Sequence, residues 1–213
     1  SFWMSWLQSV REDQTPGGLI GHTVPTTGCG AGSPGWGDVG VTAPWDVYVR
    51  TGRRAVLSEN YEMMKKWTAA YEREAKDFIV ARKGFGDWLQ PYPKGKDNRA
   101  DTPMQVIATA YFGRCAGIMR LTARVLGHSE DAAHYDALFS DIQKAFSKTF
   151  FDGAGKMTTA FKTQTGYLMA LGYDLLLPEL RKGALEGLLE QLDAADGHLR
   201  TGFLGTPLIA PVL

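Results

Sequence analysis

Apolar residues step by three or four positions along most of this chain. Leu57, Tyr61, Met64, Trp67, Tyr71, Ala75 and Phe78 form one such stripe, and Glu62, Lys65, Lys66, Glu72 and Arg73 occupy the opposite face. That spacing matches the helical turn, so it predicts amphipathic helices that bury one side. Strand-type alternation is confined to two short stretches, Ile79-Val80 and Met157 to Phe161. The pattern therefore predicts an all-α protein.

Taken in order, the helices are expected as follows. Phe2 to Arg11 reads as a helix already under way, with only Ser1 available as a cap. Asp38 to Thr51 is the next, stopped by Gly52 in the position where a left-handed residue closes a helix. Arg54 to about Phe78 follows. Thr102-Pro103 opens a helix running to about Leu126, since threonine caps well and proline suits the first turn. Gly127-His128-Ser129 then turns the chain into a helix over about Glu130 to Phe150. Thr163 to Leu176 is another, rich in small residues. Pro178 starts an amphipathic helix expected to bury Leu180, Ala184, Leu185, Leu188, Leu189 and Leu192. Phe203 to Leu213 begins the last. These are about eight helices, joined by alternating short and long loops. Short loops at one end and long, glycine-rich loops at the other suggest a toroid of helical hairpins, (α/α)6. Such a ring uses about twelve helices, so 1–213 is expected to be a single domain that forms an incomplete barrel. An α-solenoid or irregular bundle is the plainer alternative, but no repeat of constant period supports a solenoid.

Composition removes several function classes. The 23 basic and 23 acidic residues cancel, and no basic stripe alternates with aromatics, so nucleic acid is excluded as a partner. No apolar run approaches the roughly 20 residues of a membrane span, and no secretory signal is read at Ser1-Phe2-Trp3-Met4. The compartment and the oligomeric state stay open. Cys29 and Cys115 have no metal-ligand spacing, so no metal and no cofactor is expected. Cys115 falls on an apolar helix face and is expected to be a buried, inert thiol. Gly113, Gly117 and Gly166 read as helix-packing glycines. No phosphate-cradling loop and no nucleophile elbow is present.

The chemistry is expected in the long loops, because a loop of that length in a compact domain is usually functional. Gly35-Trp36-Gly37-Asp38 and Gly86-Asp87-Trp88-Leu89 repeat one recipe: glycine, aspartate and tryptophan at a loop-to-helix boundary. Indole faces stack on the apolar face of a pyranose, and carboxylates accept hydrogen bonds from its hydroxyls. Trp36, Asp38, Asp87 and Trp88 are accordingly expected to line a carbohydrate pocket. The structural alternatives are that Asp38 is a helix cap and that Trp36 fills the core. Trp45 lies on a helix stripe and Asp46 follows it. His198 belongs either to the pocket rim or to a structural turn before Thr201-Gly202-Phe203-Leu204-Gly205-Thr206. A glycosidase needs two carboxyl groups, roughly 5–5.5 Å apart for retention or about 6.5–9.5 Å for inversion, and the sequence does not fix any such separation.

The ordered motifs resemble one family. Gly35-Trp36-Gly37-Asp38 with Pro44-Trp45, Gly86-Asp87-Trp88-Leu89, Thr109-Ala110-Tyr111-Phe112, Leu126-Gly127 followed by Asp131-Ala132 and Tyr135, Thr163-Gln164 followed by Ala170-Leu171, and His198 to Thr206 together resemble the catalytic domain of bacterial α-L-rhamnosidases, glycoside hydrolase family 78. The resemblance covers nearly the whole chain. It implies an (α/α)6 barrel and inverting release of terminal α-L-rhamnose from glycosides or polysaccharides. It also implies that Trp36, Asp38, Trp88, Trp45 and Asp87 surround the rhamnose. Another (α/α)6 glycosidase of trehalase or glucosidase type, or a non-catalytic carbohydrate-binding module, are the competing readings.

The resemblance places the general acid on a glutamate upstream of the first helix and the general base on a glutamate beyond the Gly205-Thr206 helix. Neither motif occurs in these 213 residues, so no catalytic acid or base is assigned among them. A polypeptide of these residues alone is expected to leave aryl α-L-rhamnosides intact, and to associate or unfold because apolar inner-helix surface is left uncovered. Enzyme-dependent release of the aryl alcohol by a homogeneous sample would overturn the first expectation. A monodisperse, cooperatively folding monomer would overturn the second.

Overall fold

The computed structural model describes residues 2–91 and 100–213; Ser1 and the loop residue Tyr92 lie outside the described residues. Among the described residues there are eight α-helices: α1 (Phe2–Asp13), α2 (Val39–Thr51), α3 (Arg54–Glu74), α4 (Met104–Leu126), α5 (Ser129–Phe150), α6 (Gln164–Gly172), α7 (Arg181–Asp193) and α8 (Ile209–Val212). Short 3₁₀ turns at Pro178–Leu180 and Thr206–Leu208 lead into α7 and α8. Extended pairing among the described residues is limited to three isolated bridges, two of them at Ile79 and Met157, where the strand signals fall. The protein is all-α. The chain packs as two compact units, Ser1–Ala75 with Arg114–Phe139 and Lys76–Gly113 with Ser140–Leu213.

In the first unit, α2 and α3 form a hairpin. Gly52 closes α2 at φ 68°, with its N–H on the Tyr48 carbonyl at 2.7 Å, as its position in the sequence requires. The buried face of α3 carries Leu57, Tyr61, Met64, Trp67 and Tyr71, the stripe read from the sequence. Polar ties fasten α1 to it: Arg11 Nη1 donates to Asn60 Oδ1 at 2.7 Å, and Gln14 Nε2, just beyond the end of α1, donates to the Met63 carbonyl at 3.0 Å. The Asp131 carboxylate of α5 accepts from the Tyr61 hydroxyl at 2.7 Å and from Lys65 Nζ at 3.0 Å. Hydrogen bonding to these donors holds that carboxyl below its ordinary value against a desolvation penalty that pushes the other way.

Helix α3 ends four residues earlier than its apolar stripe suggests. Lys76 and Ile79 exchange N–H···O=C bonds, both 2.9 Å, around Asp77 and Phe78, whose φ angles are 47° and 64°. Two consecutive left-handed residues make the tight turn that reverses a chain. Phe78 thus fits the helical spacing without belonging to the helix.

In the second unit, α6 and α7 pack together through small residues. Thr163 caps α6, accepting from the Gly166 N–H at 3.0 Å. Tyr167 of α6 lies under Gly187 of α7, where an added Cβ would sit 2.5 Å from the tyrosine oxygen. Its hydroxyl accepts from the Met157 N–H at 2.8 Å. The buried positions of α7 are Gly183, Ala184, Gly187 and Leu188. Leu185 and Leu189, expected inside, are exposed. The glycines win the inner face because only they let the helix approach the Tyr167 ring and the Ala154–Gly155 backbone. Gly113 and Gly166 pack as expected, against Leu175 and Met157, as does Gly117 of the first unit against Phe139.

Gly183 gives the sharpest test of that packing. Helix propensity alone favours alanine over glycine by roughly 1 kcal/mol. A Cβ at Gly183 would nevertheless lie 1.8 Å from the Ala154 carbonyl oxygen, a backbone atom that cannot rotate away. Gly183→Ala is expected to destabilise by about 1–3 kcal/mol and to lower the melting temperature by several degrees. A calorimetric scan showing an unchanged or higher transition would refute the close approach.

Candidate functional site

Each Gly-Asp pair is organised within its own unit. Asp38, in the first, is 1% exposed. It precedes α2 but does not cap it: its side chain makes no capping bond to that helix. It turns inward. Oδ1 accepts from Trp67 Nε1 at 2.9 Å, from the Tyr71 hydroxyl at 3.1 Å and from Cys115 Sγ at 3.2 Å. Oδ2 accepts from the Gly35 N–H at 2.7 Å and shares the Tyr71 hydroxyl at 3.2 Å. Burial raises the carboxyl pKa above the ordinary aspartate value, and the bonds from Trp67, Gly35, Cys115 and Tyr71 oppose that rise. The same burial, with the neighbouring carboxylate, pushes the Cys115 thiol well above its ordinary value. Cys115 is buried as expected, but it faces a carboxylate rather than apolar side chains alone. Gly37 is required beside it, because a Cβ there would sit 2.3 Å from the Trp67 ring.

The long loop before Asp38 is held by His22. The Ser33 N–H donates to Nε2 at 3.1 Å, which leaves the proton on Nδ1 to donate to the Cys29 carbonyl at 3.0 Å. This role was not visible in the sequence, where His22 is simply a loop histidine. Trp36 and Trp45 are half-buried. The Trp45 ring packs against Tyr48 with centroids 5.6 Å apart, which explains its place on the helix stripe.

In the second unit, Asp87 is 0% exposed. Its Oδ2 accepts from the Thr165 hydroxyl at 2.5 Å and the Gly202 N–H at 2.6 Å. Its Oδ1 accepts from the N–H groups of Leu204 at 2.7 Å and Gly205 at 3.0 Å. One carboxylate thus binds three consecutive or near-consecutive backbone donors of a turn 115 to 118 residues away. The Phe203 N–H completes the clasp on the Trp88 carbonyl at 2.7 Å. Gly202 and Gly205 are needed for the approach: an added Cβ would lie 2.1 Å from the Asp87 carbonyl oxygen and 2.4 Å from Thr165 Oγ1 respectively.

Asp38 and Asp87 were expected to accept hydrogen bonds from a sugar. Both are instead sealed inside the protein, and their oxygens are taken by protein donors. Beside Asp87, apolar side chains are accessible. Trp88 is 48% exposed, and Phe85 packs edge-on against it with centroids 5.6 Å apart. Leu89 holds φ 60° and is 74% exposed. These residues border a cavity of about 940 Å³ whose lining includes Met104, Pro103, Gln90, Thr102 and Lys83. His198 is exposed, and its Nδ1 donates to the Ala195 and Asp196 carbonyls at 3.1 and 2.9 Å, a turn-forming role. Gln164 holds the segment that follows, donating to the His198 carbonyl at 3.1 Å and accepting from the Arg200 N–H at 2.8 Å. The structural importance of Gln164 and Thr165 was not read from the sequence, because neither side chain signals a partner so distant in the chain.

Among the described residues, no group of three or more His, Cys, Asp or Glu side chains is placed to hold a metal ion, and no helix is long and apolar enough to cross a membrane.

The family described as the bacterial alpha-L-rhamnosidase 6 hairpin glycosidase domain matches residues 1–213. An α-L-rhamnosidase of Formosa agariphila is 49% identical over 213 residues, which is 100% of this chain and 23% of that protein. One from an Alteromonas species is 42% identical over 216 residues, covering 100% of this chain and 24% of its own length. The crystal structure of Streptomyces avermitilis α-L-rhamnosidase complexed with L-rhamnose matches with a TM-score of 0.90 at 38% identity, over 100% of this chain and 20% of that one. This chain thus spans between 20% and 24% of the length of these relatives. With the hairpins, the ordered motifs and a match over its full length, the chain belongs to the bacterial α-L-rhamnosidase six-hairpin glycosidase domain family.

Proposed function

We propose that this chain is the sugar-holding part of a glycoside hydrolase that releases terminal α-L-rhamnose from glycosides or polysaccharides with inversion. The observation that carries this reading is the cavity beside Trp88. Its volume of about 940 Å³ lies in the usual range of small-molecule sites. Its lining pairs apolar faces, from Phe85, Trp88 and Met104, with a few polar groups, from Gln90, Thr102 and Lys83. A 6-deoxyhexose has that same division, with a methyl group and an apolar ring face opposed to its hydroxyls. The rhamnose bound in the Streptomyces avermitilis protein supports the choice of sugar.

In this reading Trp88 stacks on the pyranose beside Phe85. His198 shapes the rim through its turn. Asp38 and Asp87 brace the tryptophan-bearing loops and take no part in proton transfer, since a general acid or base must reach the substrate and these carboxyls do not. The catalytic acid and base are assigned to none of these 213 residues.

Two outcomes test this division of roles in the natural full-length protein. Trp88→Ala is expected to raise KM for an aryl α-L-rhamnoside by at least about tenfold, the scale of a lost apolar contact, with little change in melting temperature. An unchanged KM would remove Trp88 from the site. Asp38→Asn and Asp87→Asn are expected to behave differently, each costing about 1–3 kcal/mol of stability because an amide N–H₂ must face protein donors. Added azide should not restore their activity. Full stability with azide-rescued turnover in either variant would make that aspartate catalytic and sink the bracing role.

A further inference from the structure

The polar face of α3, which carries Glu62, Lys65, Lys66, Glu72 and Arg73, does not simply meet solvent. Within the first unit it borders a groove of about 760 Å³ whose other walls are α5 and the loop 16–18. Bonds fix that loop. Arg73 Nη2 donates to the Gly17 carbonyl at 2.5 Å, and Gln14 Nε2 donates to the Gly18 carbonyl at 3.0 Å. Gly18 holds φ 86°, and a Cβ there would lie 2.4 Å from the Lys66 carbonyl oxygen, so the loop presses on the helix backbone. The α5 wall is tied to α3 as well: Lys65 Nζ pairs with Asp131 at 3.0 Å, and His134 Nε2 lies 3.4 Å from a Glu72 carboxylate oxygen.

Tyr135 of α5 lines this groove although the residue is only 3% exposed. A phenol so buried ordinarily finds a hydrogen-bond partner, but the Tyr135 hydroxyl has none among the described residues. Burial and the carboxylates of Glu72, Asp131 and Glu62 raise its pKa, so it keeps its proton and is available as a donor. Glu62 and Lys66, both exposed on the groove, also form no ion pair or hydrogen bond among the described residues. The lining charges balance, Lys65, Lys66 and Arg73 against Glu62, Glu72 and Asp131. An anionic group at the phenol would be repelled by the carboxylates, and an ammonium could not accept its proton. A hydroxyl does both jobs, accepting from the phenol and donating to a carboxylate. The volume lies in the usual range of small-molecule sites. We propose that this groove is a second binding site, for a neutral saccharide held by its hydroxyls: one on the Tyr135 phenol, others on the Glu62 carboxylate and the Lys66 ammonium. Only Pro16 and Ala69 add apolar side chains to the lining beside the tyrosine, so recognition here is by hydrogen bonds and not by ring stacking. The site stands on residues of the first unit and does not depend on which sugar fills the cavity beside Trp88.

Saturation-transfer NMR on the natural full-length protein, with cellobiose as the probe, tests this site. Cellobiose contains no rhamnose. Transfer to its protons is expected in the unmodified protein and equally in Trp88→Ala. Tyr135→Phe removes one oxygen and keeps the ring, and Glu62→Ala changes an exposed side chain. Each is expected to weaken the Kd for cellobiose by about three- to tenfold, the scale of a lost hydrogen bond. In both variants kcat/KM on 4-nitrophenyl α-L-rhamnoside should stay within about twofold of the unmodified protein, a change too small to matter beside the effect of one bond. Absence of transfer to cellobiose, or an unchanged Kd in Tyr135→Phe, would overturn the proposal, since the phenol would then meet only water. Loss of transfer in Trp88→Ala with none in Tyr135→Phe would move the sugar to the other cavity and overturn it too. Transfer to glycylglycine in place of cellobiose would make the groove a peptide site, with the same consequence. Binding of cellobiose by a protein that leaves the aryl rhamnoside intact would uphold this site while the rhamnosidase reading fails.

Discussion

A single buried carboxylate, Asp87, ties together the loop that carries Trp88 and the turn that carries Phe203. Three of its four donors are backbone N–H groups, whose positions are set by the turn itself. A neutral amide side chain has one acceptor oxygen and could not serve them all. A carboxylate has two oxygens with room for about four hydrogen bonds, so the residue type follows from the number and placement of the donors. Taking that charge out of water costs several kcal/mol, which is offset only if every bond is made and charge-assisted. The short distances, from 2.5 to 3.0 Å, meet that condition. Gly202 and Gly205 complete the requirement, because any side chain at either would push the two segments apart.

Asp38 solves a related problem with different donors. It gathers side chains from α3 and α4, Trp67, Tyr71 and Cys115, and only one backbone N–H, that of Gly35. The two Gly-Asp motifs look alike in sequence because both place a small residue next to a buried acceptor. Gly37 leaves room for the Trp67 ring; at Asp87 the glycines that leave room lie on the partner segment instead. The aspartate is thus the inward-facing half of each motif. In Gly86-Asp87-Trp88 the tryptophan is the outward-facing half.

The fold was legible where a helix buries one face against many neighbours. The stripe of α3 and the Gly52 stop followed directly from spacing and left-handed geometry. Legibility failed where one tertiary contact outweighed the local pattern. Phe78 continues the apolar period, yet the mutual bonds of Lys76 and Ile79 end the helix before it. Leu185 and Leu189 outrank Gly183 and Gly187 in hydrophobicity, yet the glycines face inward because Tyr167 and the Ala154–Gly155 backbone leave no space for more. In the two Gly-Asp motifs, the bonding of the aspartates was not legible. Asp38 and Asp87 stood out as polar groups near indoles, but sequence spacing carries no information about donors 29 to 118 residues away. The bonds of Gln164 and Thr165, to partners 36 and 78 residues away, were missed for the same reason.

Burying the carboxylates and exposing the rings has a mechanical advantage. An aromatic ring that stacks on a sugar gains little if it must first be immobilised, because fixing such a side chain costs roughly 0.5–1.5 kcal/mol on binding. In the second unit that ordering is done during folding. Leu89, next to Trp88, sits in the left-handed region at φ 60°, where a non-glycine residue is held at a cost of roughly 1–2 kcal/mol. Such a conformation persists only when its surroundings over-determine it, and the Asp87 bonds on one side with the Phe203–Trp88 bond beside it do so. The strain at Leu89 and the clasp at Asp87 are therefore two ends of one device: the clasp's hydrogen bonds hold a backbone shape that the sequence Trp88-Leu89 would not choose alone, at the border of the cavity.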